Sequence, residues 1–206
     1  MDWKAKQAAK ASAAAALQAA FPKLVPVGGK VDGLNAAAKN MRLQLKEAFP
    51  GVKFSVRSER YSGGDSINVG WQDGPTTEQV ESIVKRYQGG NFNGMEDIYE
   101  YSADAWNDAF GDAKYVFSNR SYSDKALASA IRTVKAKYAG NLAAKGIEDI
   151  SIADYRAGKL YSVDIMDNGS DYWSLQSIIY REALRRTWAI NKAAPVKAME
   201  EEGETA

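Results

Sequence analysis

The sequence predicts an α+β fold: an antiparallel sheet with helices packed on one face, plus helical N- and C-terminal extensions. Three observations predict it. Leu34, Ala38, Met41, Leu45 and Ala48 recur at helical spacing. Phe54 and Val56, then Ile67, Val69 and Trp71, alternate with polar residues at the period of a half-buried strand. Val80, Ile83, Val84 and Tyr87 return to helical spacing. Residues 33–87 therefore read as helix, strand, strand, helix.

Upstream, Met1 to Ala20 is alanine-rich and reads as a helix with a weak apolar face, ended by Phe21-Pro22. Pro22, Pro26, Gly28 and Gly29 form a linker. Asp32 or Asn35 caps the next helix, and Pro50-Gly51 stops it. Ser62-Gly63-Gly64-Asp65 turns the chain between the two strands, in a loop longer than the two-residue ideal. Asp73-Gly74-Pro75-Thr76-Thr77-Glu78 opens the second helix, with a threonine cap and early acidic charge.

Gly89-Gly90-Asn91 and Asn93-Gly94 then read as breaks. Ser102 caps a short helix through Trp106 and Phe110. Tyr115-Val116-Phe117 is a short strand that extends the sheet. Ser123 and Asp124 start a long helix on Leu127, Ala130, Ile131, Val134 and Tyr138. Segments 147–152 and 160–165 read as a strand pair around Arg156-Ala157-Gly158-Lys159. Asp167 to Ser170 is a turn, and a last helix runs from Trp173, with Tyr180, Leu184 and Trp188 on its buried face. The expected organisation is a helix over 1–25, an α+β core over 30–140, a hairpin with a terminal helix over 141–192, and a disordered acidic tail over 193–206.

Composition narrows function. The chain of 206 residues is long enough to bury a core unaided, and it contains neither cysteine nor histidine. That excludes disulfides, thiolate and imidazole metal sites, and every catalytic arrangement built on those side chains. An enzyme is not expected, nor is a cofactor or metal. No run approaches the roughly 18–20 apolar residues of a membrane span, so a cytoplasmic protein is expected. The net charge of +1 hides a dipole, because residues 1–92 carry 13 basic against 8 acidic side chains. Residues 93–115 carry 6 acidic residues against Lys114 alone. Bulk coating of DNA demands a larger basic excess than this.

Four groups of residues bear on binding. The Tyr61–Ser66 glycine turn resembles an anion cradle, but Asp65 opposes phosphate and the spacing of a P-loop is missing. Lys53, Arg57, Arg60 and Tyr61 on the hairpin, with Arg120, suit nucleic acid or a protein partner, and equally a solvated strand face. Glu96, Asp97 and Glu100 among Tyr99 and Tyr101 suit a protein-binding surface better than a metal site. Arg181, Arg185 and Arg186 offer anion contacts or ordinary helix-surface ion pairs.

One stretch is more specific. It comprises Leu45-Lys46-Glu47-Ala48-Phe49-Pro50-Gly51-Val52-Lys53-Phe54-Ser55-Val56-Arg57, then Ser62 to Trp71, Asp73-Gly74-Pro75-Thr76, and Phe92 to Asp97. Over residues 41–101 it resembles the twenty-ninth of the large polyvalent protein-associated domains, found in multidomain proteins of phages and conjugative plasmids. The resemblance implies a protein that helps incoming DNA establish itself against host defence, and it implies no catalytic residues. The expected function is non-enzymatic inhibition of a host defence protein or ribonucleoprotein complex, anti-CRISPR or anti-restriction in type. The alternative is an accessory DNA- or RNA-binding protein of a mobile element. Neither needs a membrane.

Overall fold

The computed structural model describes residues 3–93, 98–101, 104–147, 149–166 and 173–188. The expectations for Glu96, Asp97 and Ser102, for the turn at 167–170 and for the tail at 193–206 lie outside the described residues. The fold is α+β, as expected. It divides into two compact units, which among the described residues are 3–71 with 78–119, and 72–77 with 120–188. The long helix expected in the first core thus belongs to the second unit.

In the first unit, helix α1 (Trp3–Ala20) buries no residue fully, as its alanine-rich sequence dictates. It still docks: Ala14 and Leu17 pack on the core, Lys10 pairs with Asp108 at 2.9 Å, and Gln18 donates to the Ala109 carbonyl. Helix α2 (Gly33–Ala48) is capped by Asp32, whose side chain accepts from the Asn35 N–H. Its apolar stripe faces strands β1 (Phe54–Tyr61) and β2 (Gly64–Gln72). The strands form an antiparallel hairpin in register Phe54↔Trp71 to Tyr61↔Gly64. Its loop is only Ser62-Gly63, tighter than the sequence suggested.

Helix α3 (Thr77–Val84) tightens into a 3₁₀ turn at Lys85–Tyr87. Strands β3 (Gly90–Asn93) and β4 (Ile98–Tyr101) then pair as a second small sheet, where glycine and asparagine had read as breaks. Helix α4 (Ala105–Phe110), capped by Asp104, leads to strand β5 (Tyr115–Ser121). β5 joins β2 to give the order β1-β2-β5. It runs parallel to β2, since the Lys114 N–H meets Asp65 at one end and the Asp73 N–H meets the Ser121 carbonyl at the other. The sheet is therefore mixed: antiparallel at the hairpin and parallel at the added strand. A parallel neighbour requires a crossover connection, and residues 73–114 supply it.

Two polar details hold this unit together. Asn40, fully buried in α2, accepts from the Val25 N–H at 2.7 Å and donates to the Val25 and Phe110 carbonyls. The linker and the end of α4 are thereby fixed to one side chain. Gly111, at φ 84°, lies so close to α2 that an added Cβ would stand 2.0 Å from the Gly33 carbonyl oxygen.

The second unit has its own core, built on α5 (Asp124–Lys137), which Ser123 caps as expected, and α8 (Leu175–Leu184), capped by Ser174. Between them lie α6 (Ala139–Ala144), α7 (Ile152–Arg156) and a 3₁₀ turn at Lys159–Ser162. The expected strand pair over 147–165 is absent among the described residues. Ser151 instead caps α7 through the Asp154 N–H and donates to the Asp154 carboxylate, and Gly158 at φ 71° follows. On α8 the buried face is Leu175, Ile178, Ile179 and Ala183, whereas Tyr180 is 45% exposed. Of the Tyr180, Leu184 and Trp188 face expected in the core, Trp188 packs against it and Leu184 is half-buried, while Tyr180 does not belong to it.

Gly111→Ala should cost roughly 2–4 kcal/mol, because it adds both a left-handed strain and a backbone collision. A denaturant melt within 0.5 kcal/mol of wild type would refute that account of the α2–α4 junction. Next to it, half-buried Asp112 has its carboxyl pushed up by burial, then by Asp65 and Asp108, with Lys10 opposing. A carboxyl raised on folding contributes stability at low pH that is lost as pH rises through the raised value. Asp112→Asn should therefore melt above wild type at neutral pH, with the gap shrinking on acidification. Thermal melts across that pH range check the sign.

Candidate nucleic-acid or partner interface

Alternation along the strands decides which side chains reach the two faces of the sheet. Phe54, Val56, Ile67, Val69, Trp71 and Val116 point toward the helices and into the core. The opposite face carries Ser55, Arg57, Glu59 and Tyr61 from β1, by register with Gly70, Asn68, Ser66 and Gly64 of β2. From β5 it carries Tyr115, Phe117 and Asn119, the positions alternating with buried Val116. Tyr61 is 47% exposed and Phe117 48%.

The central row of this face is small: glycine, serine, asparagine, glycine. The side chains of β1 and β5 stand as two ridges beside it, with a shallow trough between. On the β5 ridge, the rings of Tyr115 and Phe117 lie nearly parallel, 6.1 Å apart at 18°. Tyr99 meets Tyr115 edge-on at 5.5 Å, and its hydroxyl donates to the Lys114 carbonyl. The Lys114 ammonium sits 5.2 Å and 5.5 Å from these two tyrosine rings, and donates to the Gly63 carbonyl at 2.9 Å. A cation is thus fixed at the end of the aromatic row. On the β1 ridge, Arg57 and Tyr61 are exposed. Lys53, exposed just before β1, is in phase with Arg57.

Lys53, Arg57 and Tyr61 therefore share one surface. Arg60 does not. It falls on the helix-side phase and pairs with Asp32 at 2.7 Å beside the start of α2. Glu100 has its backbone paired with Asn91 in the small sheet.

Arg120 has an internal role in the second unit. Its guanidinium donates to the carbonyls of Asp73, Gly74, Leu184 and Arg186. Four chain carbonyls from two distant segments converge on one fork of donors, a geometry that guanidinium satisfies and ammonium does not. The structure thus places half-buried Arg120, expected at a partner surface, on these carbonyls and not beside Lys53 and Arg57. The terminal arginines are likewise engaged: Arg181 lies over Trp173 at 5.4 Å, and Arg186 pairs with Glu182 and donates to Thr133. Arg181, with Lys137 and Arg185, borders a cleft of about 120 Å³ at the carbonyl ends of α5 and α8, where positive charge offsets the helix dipoles.

The spacing that puts half-buried Tyr115 and exposed Phe117 on the open face around a buried Val116 was present in the sequence. It went unread because the strand's place in the sheet, and hence which phase was covered, is a long-range property. Among the described residues no group of three or more acidic side chains converges as a metal site, and no helix is long and apolar enough to cross a membrane.

The hairpin, its flanking helices and β5 form the stretch that decides the relationship. Residues 33–123 match the large polyvalent protein associated domain 29. The matched stretch runs from the first residue of α2 to the cap of α5, so it contains the whole three-stranded sheet and its open face. A large polyvalent protein associated domain points to a protein of a mobile element, a phage or plasmid. No curated protein and no solved structure matches the chain.

Arg120→Ala should destabilise the protein by about 2–4 kcal/mol, since charge-assisted bonds to several half-buried carbonyls are lost together. Arg120→Lys should recover less than half of that. Equal stability of the lysine variant and wild type in urea would show that the four-carbonyl fork is not what holds residues 73–74.

Proposed function

We propose that this chain is a non-catalytic, cofactor-free protein of a phage or plasmid that counters host defence by binding a defence complex in the host cytoplasm. The target is a protein or ribonucleoprotein of the kind met by anti-CRISPR or anti-restriction inhibitors. The working surface is the open face of the three-stranded sheet. One observation carries this reading: exposed Phe117, its ring near-parallel to that of half-buried Tyr115, stands across a trough from Arg57, with Glu59 beside it. Aromatic residues and arginine dominate the energetic centres of interfaces, and large rings left in water gain most from being covered. The domain match supports the mobile-element setting in which such an inhibitor acts.

An accessory nucleic-acid-binding role is the second reading, favoured by the same ring pair, whose faces suit bases as well as side chains.

The test is capture from a host extract by the tagged chain, with and without nuclease, beside an Arg57→Ala/Phe117→Ala variant. A subunit of a known defence complex should be retained after nuclease digestion and fall at least about tenfold with the variant, as interface centres do. Capture of no defence subunit, or equal capture by the variant, overturns the proposal.

A further inference from the structure

We infer that the trough on the open sheet face takes single-stranded nucleic acid, its bases on Tyr115, Phe117 and Tyr61 and its phosphates on Lys53, Arg57 and Lys114. This rests on the reading that the open face is the working surface, and names its ligand: an exposed single strand, such as a defence ribonucleoprotein presents.

Three features converge on that class. The ring centroids of Tyr115 and Phe117 are 6.1 Å apart, well beyond the roughly 3.4 Å between stacked bases of a duplex. Bases seated on them are held apart from each other, a state open to a single strand and closed to a paired one. Aromatic faces bind any base, so this contact is tolerant of sequence.

The trough has the right section. Its floor is made of small side chains; it is partly open at Asn68 and Gly70, while Ser66 is covered at 4% exposure and the Lys114 side chain lies over Gly64. The flanking strands β1 and β5 lie two strand spacings apart, about 10 Å. An extended chain of nucleotides fits between such ridges.

The charge is complementary. Of the described positions that β1, β2 and β5 present on this face, Glu59 is the one acid. Arg57 and Tyr61 flank it on the same ridge, and Lys53 lies at the ridge's start. Lys114 is held in place by the Gly63 carbonyl and two tyrosine rings, so its charge is positioned before any ligand arrives. A mixed cation and aromatic surface with few acids is the arrangement that captures single strands without reading sequence.

The experiment is fluorescence anisotropy with labelled oligo-dT and oligo-U of about twelve nucleotides, and a duplex of equal length, against the full chain. Saturable binding of a single strand, at least about tenfold tighter than the duplex, is expected. Three phosphate contacts predict a log–log salt slope near −2. Phe117→Ala should weaken binding at least about fivefold, and Phe117→Trp should restore it. Spectra of both variants in the free state check that the fold is retained. The oligo-dT and oligo-U arms decide between DNA and RNA as the natural source.

Absence of saturable binding to either strand overturns the inference, as does equal affinity for duplex or indifference to Phe117→Ala in a folded variant. If no strand binds while a defence subunit is still captured after nuclease digestion, this inference falls and the inhibitory reading stands. If a strand binds while no defence complex is captured, the reverse holds.

Discussion

Strand β2 has hydrogen-bonded neighbours on both sides, so its side chains can leave only through the two faces of the sheet. Its sequence loads those faces unequally. Ile67, Val69 and Trp71 go one way; Gly64, Ser66, Asn68 and Gly70 go the other. The apolar face must be covered, and α2, α3 and α4 pack on it in one continuous core. The small-residue face gives a helix nothing to pack on and stays open to the ridges of β1 and β5. The layered fold and the trough have the same cause.

That cause also separates residues which neighbour each other in sequence. Arg57 and Arg60 are three apart, an odd number, so the strand sends them to opposite faces. One remains on the open side, and the other pairs with the cap of α2. Tyr61 returns to Arg57's side. Charge near a hairpin is thus a poor guide to function until the phase of each position is known.

Legibility followed the range of the interactions involved. α2, the β1–β2 hairpin, α3 and α5 were readable because periodic burial and local caps specify them within a few residues. The small β3–β4 sheet was not, since four-residue strands containing glycine and asparagine resemble breaks until a partner strand is seen. α7 was misread because Ile147, Ile150 and Ile152 suggest a strand, while Ser151 and Asp154 form a local cap that favours a helix. The open-face rings lay unnoticed in a strand correctly found, for want of knowing which phase the helices would cover. Arg120 was the hardest case: its four carbonyl partners come from residues 73–74 and 184–186, distances at which sequence pattern carries no signal.

The same clasp has a consequence for synthesis on the ribosome. The chain makes residues 72–77 early, inside the crossover of the first unit, yet the Arg120 that holds the Asp73 and Gly74 carbonyls also donates to those of Leu184 and Arg186, and the Trp188 N–H donates to Gly74. Every residue of the first core has been made by position 116, so that core can close while the last helix is still to be translated. Arg120 can reach the Asp73 and Gly74 carbonyls as soon as it is made, but its bonds to the Leu184 and Arg186 carbonyls, and the Trp188 N–H bond to Gly74, must wait until α8 is complete. A fragment cut at the end of the matched domain would keep Arg120 and lose half its acceptors, leaving in the isolated piece the unpaired guanidinium N–H groups that the nascent chain has only for a time.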